Sequence, residues 1–186
     1  AFGRNRPRPT DWAAALRYWK RAAKAGHARA LYYIGTCYDH SLGVTRNVPT
    51  ALGWYEKAAE LGHLEAMYNL AFSYREGDGT RRDYGRMFYW FEKSARLGYP
   101  RSQNDLGVCY IEGYGVPVDA VKAAHWFRTA ARAGDKLAQY NFGLCYQDGD
   151  GVAPSLRWAR HWMEKAASQG HRKAKAWLHR HSGAEL

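Results

Sequence analysis

A fixed spacing of 36 residues runs through the sequence and limits the folds that the chain can adopt. Glycine, tyrosine and tryptophan each recur at this interval, and no insertion interrupts it. A period of this length predicts an array of similar stacked units. The recurring residues are Gly26, Gly62, Gly98, Gly134 and Gly170; Tyr38, Tyr74, Tyr110 and Tyr146; and Trp54, Trp90, Trp126 and Trp162.

The first half of each period has the pattern of a short helix, predicted in the third repeat from Arg101 to Glu112. Equivalent helices are expected to begin near Ala28, Leu64, Lys136 and Arg172. Gly113 and Gly115 end the helix because glycine adopts a positive φ without a Cβ clash. Ser41 replaces the first of these glycines in the first repeat, so a different turn is expected there. The apolar face of the helix consists of Ser102, Leu106, Cys109 and Tyr110.

The second half of each period predicts another helix, which ends at a glycine such as Gly134 in the left-handed conformation. Residues whose side chains can accept a hydrogen bond from a free helix amide precede it in all five copies. These predicted N-caps are Asp11, Asn47, Asp83, Asp119 and Ser155. The apolar stripe of the third copy consists of Ala123, Trp126, Phe127, Ala130 and Ala131.

Two such helices are too small to bury their own apolar faces, so neighbouring units must stack. The sequence therefore predicts an all-α solenoid of ten helices, in four whole repeats and two halves. The absence of a starting Met and the opening on a second-type helix suggest a piece of a longer array; the alternative is that the first helix acts as a terminal cap. The predicted organisation is a basic segment at 1–10, a half-repeat at 11–26, repeats at 27–62, 63–98, 99–134 and 135–170, and a half-repeat with tail at 171–186.

Two segments, LGVCYIEGYGVPVD at 106–119 and AAHWFRTAARAG at 123–134, resemble the Sel1-like repeat, a relative of the tetratricopeptide repeat. Looser copies are AFSYREGDGTRRD at 71–83 and FGLCYQDGDGVAPS at 142–155. The resemblance implies a right-handed superhelix whose concave face, formed by the first helices, binds peptides or proteins. It also implies a non-catalytic adaptor, soluble in the bacterial cytoplasm or periplasm or secreted. Some members carry a disulfide within each repeat, which a single cysteine per repeat does not allow here.

A predicted binding stripe follows from the phase of the first helices. If positions 102, 106, 109 and 110 face the core, positions 101, 105, 108 and 112 face a partner. This mixture of apolar, amide and charged groups suits an extended peptide better than a phosphate backbone; Asn69 and Asn141 either bind it or brace adjacent helices. The first-helix stripe consists of Arg29, Tyr33, Thr36, His40, Glu65, Asn69, Phe72, Glu76, Arg101, Asp105, Val108, Glu112, Leu137, Asn141, Leu144 and Asp148.

The net charge of +11 resides at the two ends of the chain. Residues 1–29 carry eight Lys and Arg against one Asp, and residues 157–186 carry seven against two acids, while the middle is nearly neutral. An anion-binding module for nucleic acid or acidic lipid is therefore an alternative function. A targeting or regulatory arm of a longer multidomain protein is a third. The alternative anion contacts are Arg4, Arg6, Arg8, Arg172, Lys173 and Lys175.

The remaining chemistry-bearing residues fit structural roles better than catalytic ones. Cys37, Cys109 and Cys145 share one repeat position and are predicted to be buried free thiols, because equivalent positions in adjacent repeats are expected to lie too far apart for a disulfide. The acids Asp148 and Asp150 lack the spacing of a calcium loop, so turn geometry explains their neighbouring glycines. No nucleophile motif, cofactor motif or apolar run of membrane-spanning length is present.

The histidines and the two tryptophans outside the period leave alternatives open. His27, His63 and His171 share the position after a stopping glycine, which predicts a role in helix starts and packing between repeats. His161, His171, His179 and His181 are solvated or, if their rings converge, hold a metal; the first is expected, with no metal site. The periodic tryptophans are predicted to be core. Trp158 and Trp177 break the period, and Trp177 either contacts a partner or packs under a further helix.

Overall fold

The computed structural model describes residues 11–182, in which ten α-helices account for most of the chain and no strand occurs. This confirms the predicted all-α fold and the number of helices. First-type and second-type helices alternate along the chain, starting with a second-type helix. The helices are α1 Trp12–Lys24, α2 Ala28–Asp39, α3 Val48–Glu60, α4 Leu64–Glu76, α5 Tyr84–Arg96, α6 Pro100–Glu112, α7 Ala120–Arg132, α8 Lys136–Asp148, α9 Leu156–Ser168 and α10 Arg172–Arg180.

The chain divides into two compact units within α5. Unit 1 comprises Ala1–Trp90, and unit 2 comprises Phe91–Leu186. In unit 1, α1 packs on α2, α2 on α3 and α3 on α4. In unit 2, α6 packs on α7, α7 on α8, α8 on α9 and α9 on α10. Within each unit these helices pack on the next helix in the sequence, as expected of a repeat array.

Side-chain caps start four of the five second-type helices, as the sequence predicts. The Oδ1 atoms of Asn47, Asp83 and Asp119 each accept a hydrogen bond from the amide three residues later, at 3.0, 2.9 and 2.9 Å. The Ser155 hydroxyl accepts one from the Trp158 amide at 3.4 Å. The prediction is wrong at Asp11, which makes no side-chain cap bond. Its φ and ψ of −103° and 3° are not the extended values that an N-cap needs.

Residues with a positive φ end the helices of both types. Gly134, with φ of 92°, follows α7 as predicted, and Gly77, Gly113 and Gly149 end the first helices with φ between 72° and 80°. Ser41 adopts the same left-handed region with φ of 57° and is the one such non-glycine residue between residues 11 and 182. The first repeat thus keeps the backbone path of the turn. Its helix ends one residue earlier, however, with His40 at the C-cap.

The predicted core face of the first helices is buried. Ser102, Leu106, Cys109 and Tyr110 are at most 8% exposed. Two first-helix glycines allow a ring of the next helix to lie on the backbone: a Cβ built on Gly35 would come within 2.6 Å of the Tyr55 ring, and one on Gly107 within 2.6 Å of the Phe127 ring. The repeat pattern of the sequence does not predict this contact.

Several tryptophans differ from the predicted pattern. Of the periodic tryptophans, Trp162 is buried, whereas Trp54, Trp90 and Trp126 are half-buried. Trp177 is 3% exposed. It packs in the core of unit 2 with Met163 and Ala174, and its Nε1–H donates to Gln147 Oε1. Neither role predicted for Trp177 is therefore needed to account for it.

Candidate partner-binding surface

The sixteen residues of the first-helix stripe all lie at the surface or at its edge. In each of α2, α4, α6 and α8 the two outer positions are exposed and the two inner ones are half-buried, so none of the sixteen is buried. In α6 and α8 the residue that follows each inner position, by contrast, is buried: Leu106 and Cys109 in α6 and Phe142 and Cys145 in α8. The predicted phase of the helices is therefore present in the structure, with the stripe beside the core face.

In unit 2, five stripe residues line one open cleft of about 210 Å³, which we call the unit 2 cleft. It is lined by residues of α6, α7 and α8 and of the turn after α8. The predicted members are Val108, Glu112, Asn141, Leu144 and Asp148. The members that sequence reasoning did not assign to the site are Ile111, Phe127, Cys145 and Asp150. Arg101, Asp105 and Leu137 do not line it.

The walls of the unit 2 cleft are apolar and its charged groups are all acidic. Val108, Ile111, Phe127 and Leu144 supply the apolar surface, while Glu112, Asp148 and Asp150 supply three carboxylates. Burial, together with the negative charges of Asp150 and Asp148, raises the pKa of Cys145 to about 12. The thiol is therefore protonated at neutral pH and is not a nucleophile. Within the described part of the chain Cys37, Cys109 and Cys145 are buried free thiols.

The two stripe amides are engaged inside the fold. Asn141 Nδ2 donates to Asn104 Oδ1 at 2.9 Å and thereby joins α8 to α6. Burial raises the pKa values of Tyr32 and Tyr55, and the nearby Asn69 side chain lowers them in part. The geometry favours the bracing role for Asn141. Asn141 nevertheless borders the cleft.

In unit 1, arginines of the chain itself contact Phe72 and the two acids that follow it. The Arg75 guanidinium lies 3.9 Å from the centre of the Phe72 ring, and its Nε is 2.7 Å from Glu76 Oε1. Arg46 Nη2 is 2.8 Å from Asp78 Oδ2. At the start of the unit, Arg29 Nη2 donates to the Tyr33 hydroxyl at 3.1 Å, and the Trp19 and Tyr33 rings stack at 5.0 Å.

The recurring histidines stand at the starts of first helices, as predicted, and His27 is the exposed N-cap residue of α2. His63 and His171 are the N-cap residues of α4 and α10. Their rings stack on Tyr32 and Tyr140, with centroids 4.5 Å apart in both pairs. Among the C-terminal histidines, His161 contacts Trp158 and Trp162, and His181 stacks on Trp177. Between residues 11 and 182 no three His, Cys, Asp or Glu side chains are placed to hold a metal ion.

The alternative anion contacts lie in two places. Arg172, Lys173 and Lys175 are exposed on the first two turns of α10. Arg4, Arg6 and Arg8 lie outside the described residues.

Trp158, the second tryptophan outside the period, is 49% exposed. Its ring stacks on Tyr146 with centroids 6.2 Å apart. No helix between residues 11 and 182 is both long enough and apolar enough to span a bilayer.

Comparisons with known proteins identify the repeat. The chain is similar to c5321, a protective antigen of uropathogenic Escherichia coli with an SLR fold, at 37% identity and a TM-score of 0.86. That match covers 89% of this chain and 36% of the antigen, so the chain spans about a third of its relative. A Sel1 repeat protein from Oxalobacter formigenes matches at 29% identity and a TM-score of 0.86, over 93% of this chain and 72% of the other.

The cysteine-rich protein B of Helicobacter pylori is similar in fold alone, at 24% identity and a TM-score of 0.58. That match covers 72% of this chain and 96% of the other protein. Curated protein sequences gave no significant match. The family model of the Sel1 repeat matches residues 4–27, 28–63, 64–99, 100–135 and 136–171. Because these segments make up more than half of its length, the chain belongs to the Sel1 repeat family.

Proposed function

We propose that this chain is a non-catalytic interaction module that binds an extended peptide segment of a partner protein along the first-helix stripe. Sel1 repeat proteins generally act as scaffolds for protein–protein interactions, and the family is typically non-catalytic. The observation that carries the proposal is the unit 2 cleft, where five stripe residues surround about 210 Å³ of open space. A space of this size accommodates one or two side chains of a peptide.

The cleft has the chemical composition of a peptide-binding site. Val108 and Leu144 are half-buried aliphatic side chains at its wall, and covering them with an apolar partner residue removes their remaining surface from water. Carboxylates border this apolar wall and supply orientation and specificity, as polar groups do at the rim of protein interfaces. None of the residues that line the cleft is an activated nucleophile, so the chemistry of the cleft supports binding.

Selection from a random peptide library tests the proposal. The full chain is immobilised, peptides are enriched, and their affinities are measured for the wild type and for the double variant Val108→Ser with Leu144→Ser. We expect the double variant to bind enriched peptides roughly tenfold or more weakly, because it loses two apolar contacts worth about 1 kcal/mol each. Circular dichroism verifies that the variant keeps its helical content.

The matched control is Val121→Ser with Leu156→Ser, which changes the same residue types at exposed positions of the second helices α7 and α9. This control is expected to bind the enriched peptides with wild-type affinity. Failure to enrich any peptide, or equal binding by the folded cleft variant and the wild type, would overturn the proposed function.

A further inference from the structure

Two carboxylates at equivalent positions of the two units differ in their ion pairing. With the repeat period applied twice, Leu144, Asp148 and Asp150 of unit 2 correspond to Phe72, Glu76 and Asp78 of unit 1. Both acids of unit 1 are ion-paired within the unit, Glu76 with Arg75 and Asp78 with Arg46. The Arg75 guanidinium also covers the Phe72 ring. Unit 1 thus fills its own version of the site with two arginines.

Unit 2 keeps the acids and lacks the arginines. Gln147 stands at the position of Arg75, and Val118 stands at the position of Arg46. Within the described part of the chain, Asp148 accepts a hydrogen bond from the neutral Gln147 amide at 2.8 Å, and neither Asp148 nor Asp150 forms an ion pair. A third carboxylate, Glu112, lines the same cleft where unit 1 has His40.

The negative charge also reaches the wall of the cleft. Asp150 and Asp148 add to the effect of burial in raising the pKa of the Cys145 thiol, because a thiolate beside two carboxylates is repelled by both. This negative surface lies on a chain whose net charge is +11. The local charge of the cleft therefore opposes the charge of the molecule, and it favours a cationic group over an anionic or neutral one.

The geometry points to an arginine-containing peptide of a partner protein as the occupant of the unit 2 cleft. The arginine of the partner takes the place that Arg75 and Arg46 take in unit 1, with its guanidinium on Asp148 and Asp150. An apolar side chain next to it in the peptide packs on Val108, Ile111 and Leu144. A guanidinium suits this position because its planar fork of donors can bond two carboxylates at once. This inference rests on the proposed function and adds to it the chemistry of the partner.

Restoring one unit 1 arginine provides the test. Val118→Arg introduces the counterpart of Arg46 at a position that is 66% exposed, and it removes no residue of the cleft. The matched control Val121→Arg makes the same substitution on α7, where the side chain is 68% exposed. The probes are the peptides that the random library enriches on the wild-type chain. We expect Val118→Arg to weaken them about tenfold, because the new guanidinium competes for Asp150, while Val121→Arg leaves their affinity unchanged.

The peptides themselves supply the second readout. We expect the enriched sequences to contain arginine beside an aliphatic or aromatic residue. Replacing that arginine by citrulline, which is isosteric and uncharged, should weaken binding about tenfold, the loss expected for hydrogen bonds to charged groups. Binding should also weaken as salt is raised, since the carboxylates lie at the solvent-exposed rim.

Each outcome separates this inference from the proposed function. Enriched peptides that need Val108 and Leu144 but contain no basic residue, or that bind Val118→Arg as well as Val121→Arg, overturn the arginine inference and leave the peptide-binding module standing. If Val118→Arg reduces the helical content, the variant Asp148→Asn with Asp150→Asn replaces it, and retained affinity in that variant overturns the inference equally. A library that yields no stripe-dependent peptide overturns both.

Discussion

Gly107 determines how closely α7 approaches α6 in unit 2. A Cβ at this position would lie 2.6 Å from the Phe127 ring, which is 3% exposed and has little space to move. Gly53, inside α3, has no atom within 4 Å of the place where its Cβ would be. A side chain at position 107 would clash with the Phe127 ring, whereas position 53 has room for one.

Alanine substitutions at these two positions should change stability in opposite directions. Gly107→Ala is expected to lower the free energy of unfolding by about 1–3 kcal/mol through overpacking against Phe127. Gly53→Ala is expected to raise it by about 0.5–1 kcal/mol, because alanine loses less backbone entropy in a helix. Urea unfolding followed by circular dichroism measures both. A Gly107→Ala variant as stable as the wild type would contradict the close packing of the Phe127 ring on α6.

Ser41 occupies a left-handed turn position that favours glycine. Its side chain is compatible with the left-handed turn at a steric cost of about 1–2 kcal/mol relative to glycine. The surrounding turn holds it there: Leu42 donates to the Cys37 carbonyl at 2.9 Å, and Asn47 donates to the Tyr38 carbonyl at 2.9 Å. The Asn47 bond joins the end of α2 to the start of α3, and similar bonds recur at Asp83, Asp119 and Ser155.

At the scale of the helix, half-buried histidines occupy the N-caps of α4 and α10, and the His171 ring also accepts a hydrogen bond from the Ala174 amide. Burial lowers the pKa of His63, an effect that Glu65 opposes and Arg29 reinforces. Burial also lowers the pKa of His171, and Lys136 and Lys173 act in the same direction. Both rings stack on a tyrosine of the preceding first helix, so the neutral imidazole is part of the contact between successive first helices.

This predicts a loss of stability in mild acid. The unfolded chain takes up protons at these histidines near pH 6.5, whereas the folded chain resists them until a lower pH. The free energy of unfolding should therefore fall as the pH drops from about 6.5 through the lowered pKa values, and level off below them. His63→Tyr, which copies Tyr99 at the same repeat position, should reduce this slope.

Urea unfolding between pH 7.5 and 5 measures the effect. The wild type and His63→Tyr are compared at each pH, so that the difference between their slopes reports the contribution of His63. An unchanged slope in His63→Tyr would contradict the assignment of a lowered pKa to this residue.

At the scale of the whole chain, local signals made the helices predictable. Asn47 and Asp119 as caps and Gly134 as a stop act within one turn of the backbone, so the sequence reveals them directly. Asp11 was predicted wrongly because its residue type fits a cap while its backbone conformation does not. The two roles predicted for Trp177 do not include its place in the core. Its burial and its bond to Gln147 depend on α8 and α9, which the pattern of α10 alone does not contain.

The candidate site was predictable only in part. Helical phase places Val108 and Leu144 at the surface, and both border the unit 2 cleft. The roles of Ile111 and Asp150 depend on how α6, α8 and the following turn come together, which no local pattern encodes. The sequence likewise does not predict that Asp78 is ion-paired, because this depends on where Arg46 lies in space relative to the next turn. The contrast with its counterpart Asp150 is therefore visible only in the structure.

Amide chemical shifts measured during a peptide titration reveal whether a peptide binds on the first-helix face of this Sel1 repeat protein. An isotope-labelled full chain is titrated with a peptide enriched from the random library. We expect saturable shifts at Val108, Ile111, Leu144 and Asp150, with little change around Val121 and Leu156 on the second helices. Shifts confined to the second helices, or to the basic residues of α10, would contradict binding on the first-helix face.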